Sequence, residues 1–179
     1  MLTIVIGPMY SGKTSYILNA VNEFEILKEK YLVFNNYLDT RYNIGKITNH
    51  NQVSIESHSI KKISDILNFE NLTDYKHILI DETQFFDDLY SSINLIMNKY
   101  PNLNITCVGL DGDYKQEAFN DGQLLKLIPK TDNLIRLYSK CYKCNKKAPY
   151  TKRIINDDNQ IIIASQGVYV PCCRDCLDL

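Results

Sequence analysis

Residues 7–14 read Gly7-Pro8-Met9-Tyr10-Ser11-Gly12-Lys13-Thr14, which fills every fixed position of G-x-x-x-x-G-K-[ST]. The segment follows an apolar run, Leu2–Ile6, and opens a stretch whose apolar residues recur at helical spacing through Ile17, Leu18, Val21 and Phe24. A strand, a glycine-rich turn and a helix N-terminus in that order form a cradle of backbone N–H groups for phosphate oxygens. In such a cradle Lys13 reaches the β- and γ-phosphates, and the Thr14 hydroxyl can ligate Mg²⁺. The motif therefore commits the N-terminal part to an α/β layout with a parallel sheet.

The remaining pattern agrees. Short apolar runs at Tyr31–Phe34, Val53–Glu56, His77–Asp81, Ile105–Leu110 and Leu134–Tyr138 read as strands. Helices are expected over Thr14–Lys30, Ile60–Leu67 and Asp87–Tyr100, the last stopped by Pro101. Strands alternating with helices imply a parallel sheet covered on both faces. Ile78-Leu79-Ile80-Asp81-Glu82 ends an apolar strand on two carboxylates. Asp81 is expected beside the phosphate loop, where it would organise the metal. Strand alternation turns Glu82 another way, making it the candidate to accept a proton from an attacking hydroxyl.

Composition limits the partners. The 179 residues carry 20 basic and 21 acidic side chains, a net charge of −1, which gives no electrostatic footprint for long nucleic acid or an anionic membrane. The N-terminus lacks a basic segment before its short apolar run, so it does not read as a signal peptide, and no run is long enough to span a bilayer. A reducing, cytoplasmic setting is the expectation, and there six cysteines point to metal or reactive thiols before disulfides.

Four of the six form two C-x-x-C pairs, Cys141/Cys144 and Cys173/Cys176, with 28 residues between them. Four thiolates from two such turns suit a tetrahedral structural Zn²⁺, and a redox role for either pair is the competing reading. Between them, Tyr150–Ile155 and Gln160–Ala164 read as a hairpin across Asn156-Asp157-Asp158-Asn159. Cys107 reads as core packing and Cys172 as a neighbour of a ligand. The change of texture places a boundary near residue 140: a P-loop domain at 1–140 and a zinc-binding module at 141–179.

Taken together, these segments resemble the type II thymidine kinase family, zinc-containing P-loop deoxynucleoside kinases. The resemblance rests on residues 7–14, Asp39-Thr40-Arg41-Tyr42, Asp81-Glu82-Thr83-Gln84-Phe85-Phe86, Leu110-Asp111-Gly112-Asp113-Tyr114 with Phe119, and the four cysteines. It implies a RecA-like sheet, a zinc-ribbon "lasso", and transfer of the γ-phosphoryl of ATP, with Mg²⁺, to the 5′-hydroxyl of thymidine. Glu82 matches the general base, while Lys13, Thr14 and the loop amides match the triphosphate site. Asp39 and Arg41 match positions near the metal and the transferring phosphate. Met9, Phe85, Leu110, Tyr114 and Phe119 match the base pocket. Thr151, Arg153, Gln160, Ile161, Ile162, Ile163, Ala164 and Tyr169 fall in the lasso that closes over the nucleoside. A homotetramer or homodimer and feedback binding of thymidine triphosphate are also implied. This sequence departs from the family pattern at Ser165-Gln166-Gly167-Val168, at Tyr114, whose hydroxyl is uncommon there, and at Asn120, which replaces a usual glycine; asparagine tolerates a left-handed turn, so little effect is expected. A nucleic-acid-stimulated ATPase and a kinase for deoxycytidine or deoxyuridine are the rival functions.

Overall fold

The computed structural model describes residues 1–39, 45–48, 53–157, 159–162 and 167–177. Its centre is a six-stranded sheet built from β1 (Leu2–Ile6), β2 (Tyr31–Asn36), β5 (His58–Ile60), β6 (His77–Ile80), β7 (Asn104–Gly109) and β8 (Asn133–Arg136). The order across the sheet is β5-β2-β6-β7-β1-β8, and all five pairings are parallel.

Side-chain alternation explains why both faces are covered. Leu2, Ile4, Ile6, Phe34, Ile78, Ile80, Ile105 and Cys107 point to one face, where Leu89, Ile93 and Ile96 of α2 (Leu89–Lys99) pack on them. Val5, Val33, Leu79 and Val108 point to the other, against Ile17 and Val21 of α1 (Lys13–Leu27). Lys28 ends α1 in a left-handed conformation, with Glu29 N–H donating to Phe24 O at 2.9 Å. Each fully buried aliphatic or Phe side chain of this kind contributes on the order of 1.5–3 kcal/mol. The expected α/β P-loop-like fold is therefore the observed one. Among the described residues no helix is long and apolar enough to cross a membrane.

Three local expectations are corrected. The stretch at 60–67 is not one helix: Ile60 ends β5, and a 3₁₀ segment runs over Ile63–Asn68. Asp88 sets its start by accepting the N–H groups of Ile63 and Ser64, both at 2.9 Å. The strand at 53–56 does not join the main sheet. As β4 (Ser54–Glu56) it pairs antiparallel with β3 (Lys46–Thr48), a partner too short to be visible in the periodicity.

The third correction concerns the cysteine module. There β9 (Ser139–Lys140) pairs with β10 (Lys147–Ala148). Then β11 (Tyr150–Arg153) pairs with β12 (Tyr169–Cys172), in a register that sets Tyr150 opposite Cys172 and Arg153 opposite Tyr169, while the described part of the expected partner, 160–162, forms no strand. The reason is tertiary. The cysteines after β12 converge on Cys141 and Cys144 and carry β12 alongside β11, while the carbonyls of 157, 159 and 160 turn inward onto Arg153. A short helix, α3 (Arg174–Leu177), closes the module.

Candidate active site

The C-terminal ends of β1, β2, β6 and β7 open onto one cleft of about 1280 Å³, its open mouth included. From β1 comes the phosphate loop, in which Tyr10 (φ 63°) and Gly12 (φ 87°) both adopt left-handed conformations and curl the chain back into α1. The Lys13 ammonium donates to the carbonyls of Gly7 (3.1 Å) and Pro8 (2.7 Å), which places its charge at the floor of the loop. Met9 to Thr14 line the cleft, whereas Gly7 and Pro8 are buried beneath it.

β7 lies between β1 and β6, so the two acidic residues reach the phosphate loop by sharing its sheet edge and not by strand adjacency. Asp81 and Glu82 are both buried and both line the cleft. This differs from the expected alternation. β6 stops at Ile80, and Glu82 takes φ 53°, so period-two geometry does not extend to this pair. A glutamate at positive φ is strained, and such strain concentrates at functional sites. The Glu82 N–H donates to Asp81 Oδ1 at 2.9 Å.

Thr14, Asp39 and Asp81 line the same cleft and together offer a hydroxyl and two carboxylates. Hard oxygen donors beside a phosphate cradle fit Mg²⁺. Asp39 is steadied by Asn35, whose Nδ2 donates to Asp39 Oδ2 at 3.4 Å.

Opposite the phosphate loop the wall turns apolar. Phe85 and Phe119 meet edge to face with centroids 5.7 Å apart, and Leu110, Tyr114 and Met9 complete the wall. Phe86 is buried in the core. The cysteine module supplies Thr151, Gln160, Ile161, Ile162 and Tyr169. Thr151 Oγ1 accepts the Met9 N–H at 3.0 Å, which ties β11 to the phosphate loop. Gln160 Nε2 donates to Asp113 Oδ2 at 2.9 Å, holding the 160–162 segment against the wall after β7.

Arg153 does not line the cleft. Its buried guanidinium lies over the Tyr114 ring, 3.7 Å from the centroid, and donates to the carbonyls of 157, 159 and 160 and to the Tyr169 hydroxyl. It organises the loop. Arg41, Ile163 and Ala164 lie outside the described residues, as does His50. Sequence reasoning missed Ser15, Leu38, Ile47, Thr48, Gly112 and Asp113 as lining residues. Of these, Gly112 and Asp113 carried a signal, as members of the 110–114 segment. Asn120 takes φ 45°, the left-handed turn expected for it.

The sulfurs of Cys141, Cys144, Cys173 and Cys176 lie within 4.8 Å of one another, with Cys144 to Cys173 at 3.5 Å and Cys144 to Cys176 at 3.8 Å. Tetrahedral Zn–S bonds of about 2.3 Å set sulfurs about 3.8 Å apart, a spacing close to that of this cluster, so the four cysteines could hold zinc. Burial acts to raise the Cys141 thiol. The backbone donors of Cys173, Lys143 and Cys144 outweigh it and bring that thiol to about 6. Cys172 stays outside the cluster, donating to Cys173 O at 3.4 Å, and burial lifts its thiol to about 11. Cys107 is fully buried in the sheet core, and its thiol is pushed up to about 12.

The sequence that builds this site is similar to that of known proteins. A family model described as thymidine kinase matches residues 1–177. A thymidine kinase of Pseudothermotoga lettingae is 32% identical over 177 residues, covering 98% of this chain and 93% of the relative. The chain belongs to the thymidine kinase family.

Proposed function

We propose that the chain transfers the γ-phosphoryl group of ATP to the 5′-hydroxyl of thymidine, giving thymidine monophosphate for pyrimidine deoxynucleotide salvage in the cytoplasm. One observation carries this reading: a single cleft is lined by the phosphate loop at one end, Asp81 and Glu82 in the middle, and an aromatic wall under the 160–162 segment at the other. Those three parts suit a triphosphate, a reacting hydroxyl and a pyrimidine base in sequence along one line.

The chemistry follows from the residues. The Glu82 carboxylate takes the proton as the nucleoside 5′-oxygen attacks the γ-phosphorus and the bond to the β-phosphate oxygen breaks. Lys13 and the loop amides meet the charge that develops on the phosphoryl oxygens, from positions already set before the substrates arrive. Thr14, Asp39 and Asp81 would hold Mg²⁺, which would supply charge neutralisation on the phosphates, and Arg41 is assigned to the same end. Met9, Phe85, Leu110, Tyr114 and Phe119 enclose the base, and backbone groups of 160–164 read its edge. The Met9–Thr151 bond and the Tyr169 side chain close the module over the acceptor, which keeps water from competing for the phosphoryl group.

The reading treats 1–140 as the kinase core and 141–179 as a zinc-held lasso, with zinc doing no chemistry. Assembly as a homotetramer or homodimer and feedback by thymidine triphosphate in the same cleft belong to it. Glu82→Gln is expected to bind ATP and thymidine with little change while turnover falls roughly 100- to 10,000-fold. Turnover near the unaltered rate would remove Glu82 from the mechanism. A competition series with thymidine, deoxyuridine and deoxycytidine tests the acceptor. ATP hydrolysis stimulated by DNA or RNA, without nucleoside phosphorylation, would overturn the kinase assignment.

A further inference from the structure

Gln84 does not line the cleft, yet its side chain joins the proposed base to the wall of the nucleoside pocket. It is 2% exposed. Its Nε2 donates to Glu82 Oε2, and its Oε1 accepts the backbone N–H of Leu110 at 3.0 Å. The second bond decides the first. A backbone N–H can only donate, so the amide oxygen must face Leu110 and the NH₂ must face Glu82. An NH₂ donor facing a carboxylate holds one of its oxygens in place.

Two further features seat this amide. A Cβ added to Gly109 would stand 2.7 Å from Gln84 Oε1 and 2.6 Å from Thr83 Oγ1, so the close approach requires glycine there. Asn120 Nδ2 donates to Gln84 O at 3.0 Å from its left-handed backbone, a bond that glycine could not make. Leu110 and Phe119, the neighbours of these anchors, are both in the aromatic wall. Among the described residues, the other charged groups of the cleft are Asp81 beside Glu82, Lys13 on the phosphate loop, Asp39 after β2 and Asp113 after β7.

We propose that Gln84 is the positioning residue of Glu82, fixing its carboxylate toward the acceptor hydroxyl, and that Asn120 anchors Gln84 to the nucleoside side of the cleft. The proposal rests on reading Glu82 as the base. It makes the aim of the base depend on the same backbone that forms the pocket wall, so that the wall and the proton acceptor keep one geometry.

A double-mutant cycle tests it. Gln84→Leu removes both side-chain bonds, and Gln84→Glu keeps the acceptor for Leu110 while replacing the donor toward Glu82. Each is expected to lower kcat roughly 10- to 100-fold, the effect of losing a hydrogen bond to a charged group, with KM for thymidine and ATP held within about threefold. Asn120→Gly keeps the turn and is expected to lower kcat about two- to fivefold. In a Glu82→Gln background, Gln84→Leu is expected to cost nothing further. A full multiplicative loss in that background, or a KM increase with kcat unchanged, would overturn the positioning role while leaving Glu82 as base. Unimpaired turnover in Glu82→Gln alone would remove the base and the proposal together. Should Gln84→Leu fail to fold, Gln84→Glu in both backgrounds carries the same comparison.

Discussion

The region before Ser139 and the region after it are held together in different ways. The first buries two aliphatic layers on opposite faces of a parallel sheet, with Phe34, Ile80, Ile93 and Leu79 among its fully buried side chains. Among the described residues, the apolar core of the second is Cys141, Ala148, Cys172, Cys173, Cys176 and Leu177, with Tyr150 packed on them. A core that small cannot offset the entropy of ordering its chain without a cross-link. The contrast divides the site in two: the sheet supplies an edge for the phosphate loop and the carboxylates, while clustered cysteines stand at both ends of the stretch that brings Thr151, Gln160 and Tyr169 to the cleft.

Removing the metal should break the comparison most severely. Chelation, or Cys144→Ser, is expected to disorder 141–177 and abolish nucleoside phosphorylation, because structural zinc supplies on the order of 10 kcal/mol of folding free energy to modules of this size. Hydrogen exchange should rise across the module and remain slow in β1, β6 and β7. Equal loss of protection in both regions would mean that the two are one cooperative unit.

A smaller effect is expected on the sheet side at Asp88. Partial burial acts to raise its carboxyl, but the N–H groups of Ser64 and Ile63 and the Ser92 hydroxyl outweigh that and hold it below the ordinary carboxylate range. Asp88→Asn should cost about 1–2 kcal/mol at neutral pH by losing these caps, with zinc content unchanged. A pKa lowered by folding gives stability that is complete above the unfolded value of about 4 and is lost as pH falls through the folded value. Urea midpoints of wild type and variant should therefore converge in acid. A constant gap down to pH 2 would assign the loss to packing instead.

Cys172→Ser should do least. Its hydroxyl can keep the bond to Cys173 O, so zinc stoichiometry is expected to stay at one per chain and the melting temperature to shift by only a few degrees, since an isosteric change at a satisfied site costs about 1 kcal/mol or less. Zinc loss in this variant would exchange Cys172 for Cys173 in the ligand set.

Much of the site was legible because its signals are local. The phosphate loop needs a strand, a tight turn and a helix within a short stretch, and the cysteine pairs need two-residue gaps; neither depends on distant register. The alternation of Ile78, Leu79 and Ile80 also announces a strand buried on both faces. The role of Arg153 was not legible for the opposite reason: its partners are loop carbonyls and two tyrosines brought to it by the β11–β12 pairing.

The amino-acid sequence by itself determined the reacting groups and the class of fold, since residue type and periodicity act over one turn or one pleat. Only the tertiary structure decided that β7 separates the strands leading into the phosphate loop and into Asp81, that β12 pairs with β11, and that Gln84, Leu110 and Asn120 meet behind Glu82. Those contacts join residues tens of positions apart. Their geometry depends on how whole strands stack and on which cysteines converge, and no local pattern encodes that.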